Sequence, residues 1–64
     1  MIWTDTFEIV DSLIEKHPDV EPESLLFTDL MNMVMDLESF EGQKEHCNER
    51  VLEAIQSLWI DEKD

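Results

Sequence analysis

The sequence predicts a small, mainly α domain of three helices with little or no strand, and three observations support this class. A chain of 64 residues allows one small domain, which we assign to residues 1–64. Hydrophobic residues make up 42% of the chain, too many for an acidic disordered segment, so we expect it to fold. These residues recur at helical spacing in three segments, and only one glycine and two prolines interrupt the chain.

The first helix is predicted from Thr4 to His17. On a helical wheel, the apolar and acidic residues of this segment fall on opposite faces. One side holds the apolar Phe7, Ile9, Val10, Leu13 and Ile14, and the other holds the carboxylates of Asp5, Glu8, Asp11 and Glu15. Thr4 is a suitable N-cap, and Pro18 ends the helix because the residue before a proline disfavours helical backbone. His17 lies in the apolar sector, so we expect it to pack or to cap rather than to bind a metal.

The second helix is predicted to begin at Thr28, after a polar turn at residues 19–24 and a short apolar run at residues 25–27 that could be extended. Its apolar residues surround most of the axis, which is typical of a central helix buried on more than one side. The alternating Met31, Met33 and Met35 do not face one another on a helix, so they are expected to fill the core rather than to bind copper.

The third helix is predicted after a loop at residues 38–46. Asn48 is a good N-cap, and Cys47 and Leu52 occupy the positions of a hydrophobic staple around it. Residues 61–64 contain three acidic residues and one lysine, so the segment is acidic where a helix C-terminus favours cations, and we expect the last turn to fray. Trp3 and Trp59 are expected to close the core as large apolar anchors.

Charge narrows the possible partners. Seventeen acidic residues against four basic ones give a formal charge of -13, which repels nucleic acid and anionic membranes and favours cations or basic protein surfaces. A cytoplasmic protein is expected, because the single cysteine suits a reducing compartment and residues 1–5 lack the features of a secretory signal. No apolar run approaches the ~20 residues that span a bilayer.

A series of short motifs spans nearly the whole chain. They are Trp3-Thr4-Asp5, the turn with Pro18-Asp19 and Pro22, Phe27-Thr28-Asp29, Asp36-Leu37-Glu38 with Phe40, Asn48-Glu49, Leu52-Glu53-Ala54-Ile55, and Trp59 with Asp61-Glu62. In order, spacing and total length they resemble the IscX family, the small acidic proteins of the bacterial iron-sulfur cluster assembly machinery. The resemblance implies a modified winged-helix fold, weak iron binding by surface carboxylates, and docking on the basic surface of the cysteine desulfurase. It also implies that this docking surface is shared with bacterial frataxin.

The candidate metal site consists of the four carboxylates of the first helix. Asp5, Glu8, Asp11 and Glu15 follow spacings of three, three and four, which places neighbouring Cβ atoms about 5 to 6 Å apart on one helix face. Two or three of these oxygens could hold ferrous iron together with water, weakly and in exchange, because no histidine lies on that face. The alternative is a solvated surface with no ligand. Residues 41–46 are less acidic than the loops of the family, so we leave them out of the site.

The candidate partner-binding residues are the same four carboxylates, with Asp61 and Glu62 added if the third helix ends beside the first. The neighbouring His46 and Cys47 point apart at a junction between loop and helix, so they are not expected to bind a metal together.

No catalytic motif is present, so we do not expect an enzyme. An acidic adaptor for the desulfurase is the first hypothesis. An acidic DNA mimic that inhibits a nucleic-acid-binding protein is the alternative, and a passive iron carrier is a third. Direct DNA binding is disfavoured because the second helix carries no cation between Asp29 and Phe40.

Overall fold

The computed structural model describes residues 1–63 and contains three α-helices. Helix α1 spans Thr6–Lys16, α2 spans Phe27–Met35 and α3 spans Glu49–Lys63. Two single-turn 3-10 helices, Pro22–Ser24 and Lys44–His46, lie in the connections between them. No strand forms within residues 1–63. The predicted class, a small mainly α domain of three helices, is therefore confirmed.

The core lies between α1 and α3, which form the main packing contact of the molecule. Ile9, Val10 and Leu13 of α1 are fully buried, as the helical spacing predicted. They meet α3 residues that follow the same spacing, namely Leu52, Ile55 and Trp59. Each such side chain contributes roughly 1.5–3 kcal/mol when fully buried. Trp3 and Trp59 are 3% and 1% exposed, which confirms that both close the core.

The prediction that the second helix is the central one is wrong. Within α2 only Leu30 and Val34 are buried, and Met35 is exposed. Met31 and Met33 are half-buried and pack against the core, as expected of filling residues. The error has a physical cause: methionine is apolar but unbranched and flexible, so a methionine-rich surface suits both a core and a partly exposed layer.

Two of the three predicted N-caps are wrong. Helix α1 begins at Thr6 with Asp5 in the capping position, and Thr4 lies in the preceding turn. Helix α2 begins at Phe27, so Thr28 is inside its first turn, while the extended backbone of the predicted apolar run is confined to residues 25 and 26. The cap at Asn48 is confirmed, because its Oδ1 accepts a hydrogen bond from the backbone nitrogen of Val51 at 2.9 Å.

The N-terminal segment is tied to the connection between α2 and α3. The nitrogen of Met1 donates to the carbonyl of Ser39 at 2.8 Å, and the nitrogen of Glu41 donates to the carbonyl of Met1 at 2.7 Å. The connection at residues 38–46, predicted as a loop, is held in place by these hydrogen bonds and contains one 3-10 turn.

Lysine side chains hold the ends of α1 and α3. Lys63 donates to the carbonyl of Val20 and lies 3.5 Å from a carboxylate oxygen of Glu21. The last turn of α3 is therefore formed through Lys63, and the frayed turn that we expected is not observed in the described residues; residue 64 lies outside them. Lys16 donates to the carbonyl of Asp36 and lies 3.6 Å from its carboxylate. None of the helices described is long and apolar enough to cross a membrane.

Candidate functional site

Three carboxylates stand on the outer side of α1. Glu8, Asp11 and Glu15 are exposed, and they lie opposite the buried stripe that fixes the helix against α3. Because that stripe is fully buried, the backbone beneath the carboxylates has a defined position. We call Glu8, Asp11 and Glu15 the acidic face.

Asp5 differs from these three residues because it belongs to a local turn. Its Oδ2 accepts a hydrogen bond from the backbone nitrogen of Ile2 at 2.9 Å, and its own nitrogen donates to the carbonyl of Ile2 at 2.9 Å. The residue is half-buried. One of its two carboxylate oxygens is therefore already engaged, and Asp5 has less freedom to bind a ligand than the acidic face has.

The chain after α2 borders the acidic face. Glu8 and Asp11 line a shallow depression with Ser12 and Ser39. Glu15 lines the neighbouring depression, whose wall includes Glu38. The acidic face is consequently an open surface, and Glu38, Lys16 and Met1 lie at its border. Cations and basic side chains can approach it without displacing any part of the fold.

The arrangement offers a metal ion few ligands at once. Within residues 1–63, no group of three or more histidine, cysteine, aspartate and glutamate side chains is arranged to hold a metal. An ion on α1 would have to take one or two carboxylates and complete its shell with water, as hard cations readily do. Carboxylate oxygens suit ferrous iron chemically, and the iron site at Asp5, Glu8, Asp11 and Glu15 stays a prediction.

His46 and Cys47 are adjacent in the chain, between the Lys44–His46 turn and α3, but their side chains have different surroundings. His46 is exposed, whereas Cys47 is half-buried and packs against the core, in agreement with its predicted staple position. Burial raises the pKa of the Cys47 thiol and so disfavours the thiolate, which is the form that binds metals.

Asp61 and Glu62 are exposed in the last turn of α3. The contacts of Lys63 place this turn beside Val20 and Glu21, in the connection that follows α1. The two carboxylates therefore lie toward the C-terminal end of α1, the end that carries Glu15 and is opposite Asp5. Their role in partner binding stays a prediction.

Besides Met35, a second residue that the sequence assigned to the core is on the surface. Phe7 was placed on the apolar face of α1, but it is 70% exposed. On the helical wheel it falls at about 200° from Asp5, close to Asp11 at about 240°. That position at the boundary between the two faces was the signal that its ring could lie outside the core.

Comparison with known proteins identifies the family. The family model described as iron-sulphur cluster assembly matches residues 1–64. The chain is also similar to uncharacterized protein PA3808 of Pseudomonas aeruginosa, with 44% identity over 62 residues that cover 97% of this chain and 94% of that protein. The chain therefore belongs to the IscX family and has a role in iron-sulfur cluster assembly.

Proposed function

We propose that this protein is an acidic adaptor that docks on the cysteine desulfurase of the assembly machinery and modulates its delivery of sulfur. It acts without catalysis of its own, in the cytoplasm, and it binds neither nucleic acid nor membranes. Ferrous iron is a weakly held effector. On this proposal bacterial frataxin competes for the same surface of the desulfurase.

The exposed acidic face carries the proposal. Glu8, Asp11 and Glu15 repeat at about one-turn intervals on a helix whose other side is fully buried, so they present a row of like charges in a fixed direction. Like charges at this spacing weaken a helix slightly, and they are therefore poorly explained by stability alone. Their value lies in attracting a partner of opposite charge.

The scarcity of basic residues, four against seventeen acidic ones, supports the same partner. Of the four basic residues, Lys16 and Lys63 are each paired with a carboxylate at the end of a helix. Neither pairing involves the acidic face. Because the chain also carries a formal charge of -13, the field around that face is expected to be negative, and a basic protein surface fits it best.

We assign iron the role of an effector because the carboxylates of α1 can bind a hard cation only weakly. Glu8, Asp11 and Glu15 are free to turn toward an ion, whereas Asp5 offers one oxygen. A bound cation would partly neutralise the surface that attracts the desulfurase. On this proposal, iron and the desulfurase therefore oppose each other's binding at low ionic strength.

Calorimetric titration of the protein into purified desulfurase, with and without ferrous iron, tests partner and metal together. We expect saturable binding that weakens when iron is present. Frataxin added in a second titration is expected to raise the apparent dissociation constant. No heat of binding in either titration would remove the desulfurase as the partner.

A pull-down from a bacterial lysate separates the remaining hypotheses. Recovery of the desulfurase supports the adaptor. Recovery of a repressor or a polymerase component instead would favour the acidic DNA mimic, and the absence of any stoichiometric partner would favour a passive iron carrier.

A further inference from the structure

Phe7 is an exposed aromatic residue beside the acidic face. Its side chain is 70% exposed, more than any other large hydrophobic residue among those described. It precedes Glu8 in the chain and lies one turn before Asp11, so its ring stands at the edge of the row of carboxylates.

The fold does not require this ring for its core. The inward side of α1 is already complete with Ile9, Val10 and Leu13, each fully buried. Ile14, two turns after Phe7 on the same side of the helix, is only half-buried. Leaving an aromatic ring in water forgoes the free energy of its burial, which is among the largest that one side chain supplies.

Protein interfaces commonly combine an aromatic residue with a surrounding polar rim. The aromatic residue fills a pocket and carries much of the binding energy, while the charged rim steers the approach. Phe7 and the acidic face have this composition.

Charge decides which partner can cover the ring. A second copy of this chain would bring another formal charge of -13 to the same place, so self-association is disfavoured. A basic surface has the complementary sign, and only a surface with an apolar pocket between its cations also buries the ring.

We propose that Phe7 is the apolar anchor of the docking surface, and that it enters an apolar pocket bordered by basic side chains on the desulfurase. This inference rests on the proposed function and adds a division of labour to it. The acidic face sets the rate of encounter, and Phe7 sets the lifetime of the complex.

The division of labour predicts a kinetic difference. Steering charges act mainly on the association rate constant and lose their effect in salt. A buried apolar contact acts mainly on the dissociation rate constant and has little salt dependence. Phe7→Ala should therefore raise the dissociation rate constant about 10- to 100-fold, the range given by the burial of one phenylalanine side chain. The association rate constant and its dependence on salt should stay unchanged.

Leu26→Ala is the matched control. Leu26 is 69% exposed, nearly the same as Phe7, but it precedes α2 and does not belong to α1. Surface plasmon resonance with immobilised desulfurase at several salt concentrations measures both rate constants for the wild type and the two variants. Circular dichroism checks the fold, which Phe7→Ala should preserve because the ring is outside the core and alanine favours helix.

Each outcome of this experiment has a distinct meaning. A faster dissociation for Phe7→Ala alone supports the anchor. An unchanged dissociation rate for Phe7→Ala, or an equal increase for both variants, would overturn the anchor and leave the adaptor proposal intact. No binding by the wild type would overturn both. A dimer in sedimentation that Phe7→Ala abolishes, without any change in desulfurase binding, would assign the ring to self-association instead.

Discussion

The indole ring of Trp3 and the phenyl ring of Phe40 meet edge to face, with their centroids 4.7 Å apart and their planes at 72°. The indole nitrogen of Trp3 also donates to the carbonyl of Gln43 at 2.7 Å. These contacts hold the connection between α2 and α3 against the residues that precede α1. Gly42 lies against both rings, and a Cβ at this position would come within 2.5 Å of Cζ of Phe40 and 2.9 Å of Cδ1 of Trp3.

Gly42→Ala is therefore expected to destabilise the protein by about 1–3 kcal/mol, the usual cost of overpacking. The backbone of Gly42 does not have positive φ, so the cost comes from the two rings rather than from the main chain. Urea denaturation followed by tryptophan fluorescence measures it. Ser39→Ala, at an exposed position in the same connection, is the control and should leave the midpoint unchanged.

A double-mutant cycle makes the steric explanation specific. Phe40→Leu removes the ring atoms closest to the new methyl group, so the combination with Gly42→Ala should cost less than the sum of the two single changes. Strict additivity would show that the methyl group does not act through Phe40.

His17→Phe is expected to stabilise the protein. The Nε2 atom of His17 is buried, and no described residue offers it a hydrogen-bond partner. A buried polar atom without a partner costs about 1–3 kcal/mol, which an apolar ring of similar shape removes. For a chain of this size, each 1 kcal/mol of added stability raises the melting temperature by roughly 4–8 °C.

His46→Phe serves as the control, because His46 is exposed and should give no such rise. A melting temperature for His17→Phe at or below the wild type would show that this nitrogen is already satisfied.

Neutralising the acidic face should separate stability from binding. In the triple variant Glu8→Gln, Asp11→Asn and Glu15→Gln, repulsion along α1 is removed, so the melting temperature should hold or rise. Affinity for the desulfurase should fall, because the charges that attract it are removed. The salt dependence should fall as well, because salt weakens binding by screening those charges, over ~10 Å at 0.1 M and only ~3 Å at 1 M. Asp5 is left intact because its carboxylate accepts the hydrogen bond from Ile2.

The control for this variant removes the same number of charges elsewhere. Glu23, Glu45 and Glu53 are exposed and lie outside α1, and all three can be changed to glutamine. Equal losses of affinity in the two triple variants would mean that net charge, rather than the acidic face, drives docking. Unchanged affinity in the first variant at low salt would reduce the acidic face to a solvated surface.

Ferrous iron should bind in fast exchange. In a nuclear magnetic resonance titration, the signals of Asp5, Glu8, Asp11 and Glu15 are expected to broaden before all others. Other divalent cations should displace the iron, since these open carboxylates impose no particular geometry. Among them, Asp5 is expected to respond least because one of its oxygens is engaged. Slow exchange centred on His46 and Cys47 would place the site at the junction before α3 instead.

The parts of the fold that could be predicted depend on local rules. The cap at Asn48 was predictable because its oxygen and the nitrogen of Val51 are three residues apart in the chain. The buried stripe of α1 was predictable from helical spacing. The caps at Thr4 and Thr28 failed because threonine is also accepted within turns and first turns of helices. Packing of the neighbouring residues against the core then decides where the helix begins.

The parts that could not be predicted depend on contacts between distant residues. Lys63 holds the last turn of α3 against Val20 and Glu21. Rules for helix ends use only neighbouring residues, so they could not predict this contact. The exposure of the acidic face followed from charge alone. The exposure of Phe7 did not, because a residue at the boundary of a helical wheel is buried or exposed according to how its neighbours pack.

The pairing of α1 with α3 also determines when this chain can fold. The apolar stripe of α1 finds its main partner only in α3, and all of α2 and both connections lie between them. During synthesis, α1 is made before α3, and the stripe lacks its main packing surface until Trp59 has been added. An isolated helix of this length is marginal in water. The nascent protein should therefore stay unstructured through most of its translation and then fold in a single cooperative step.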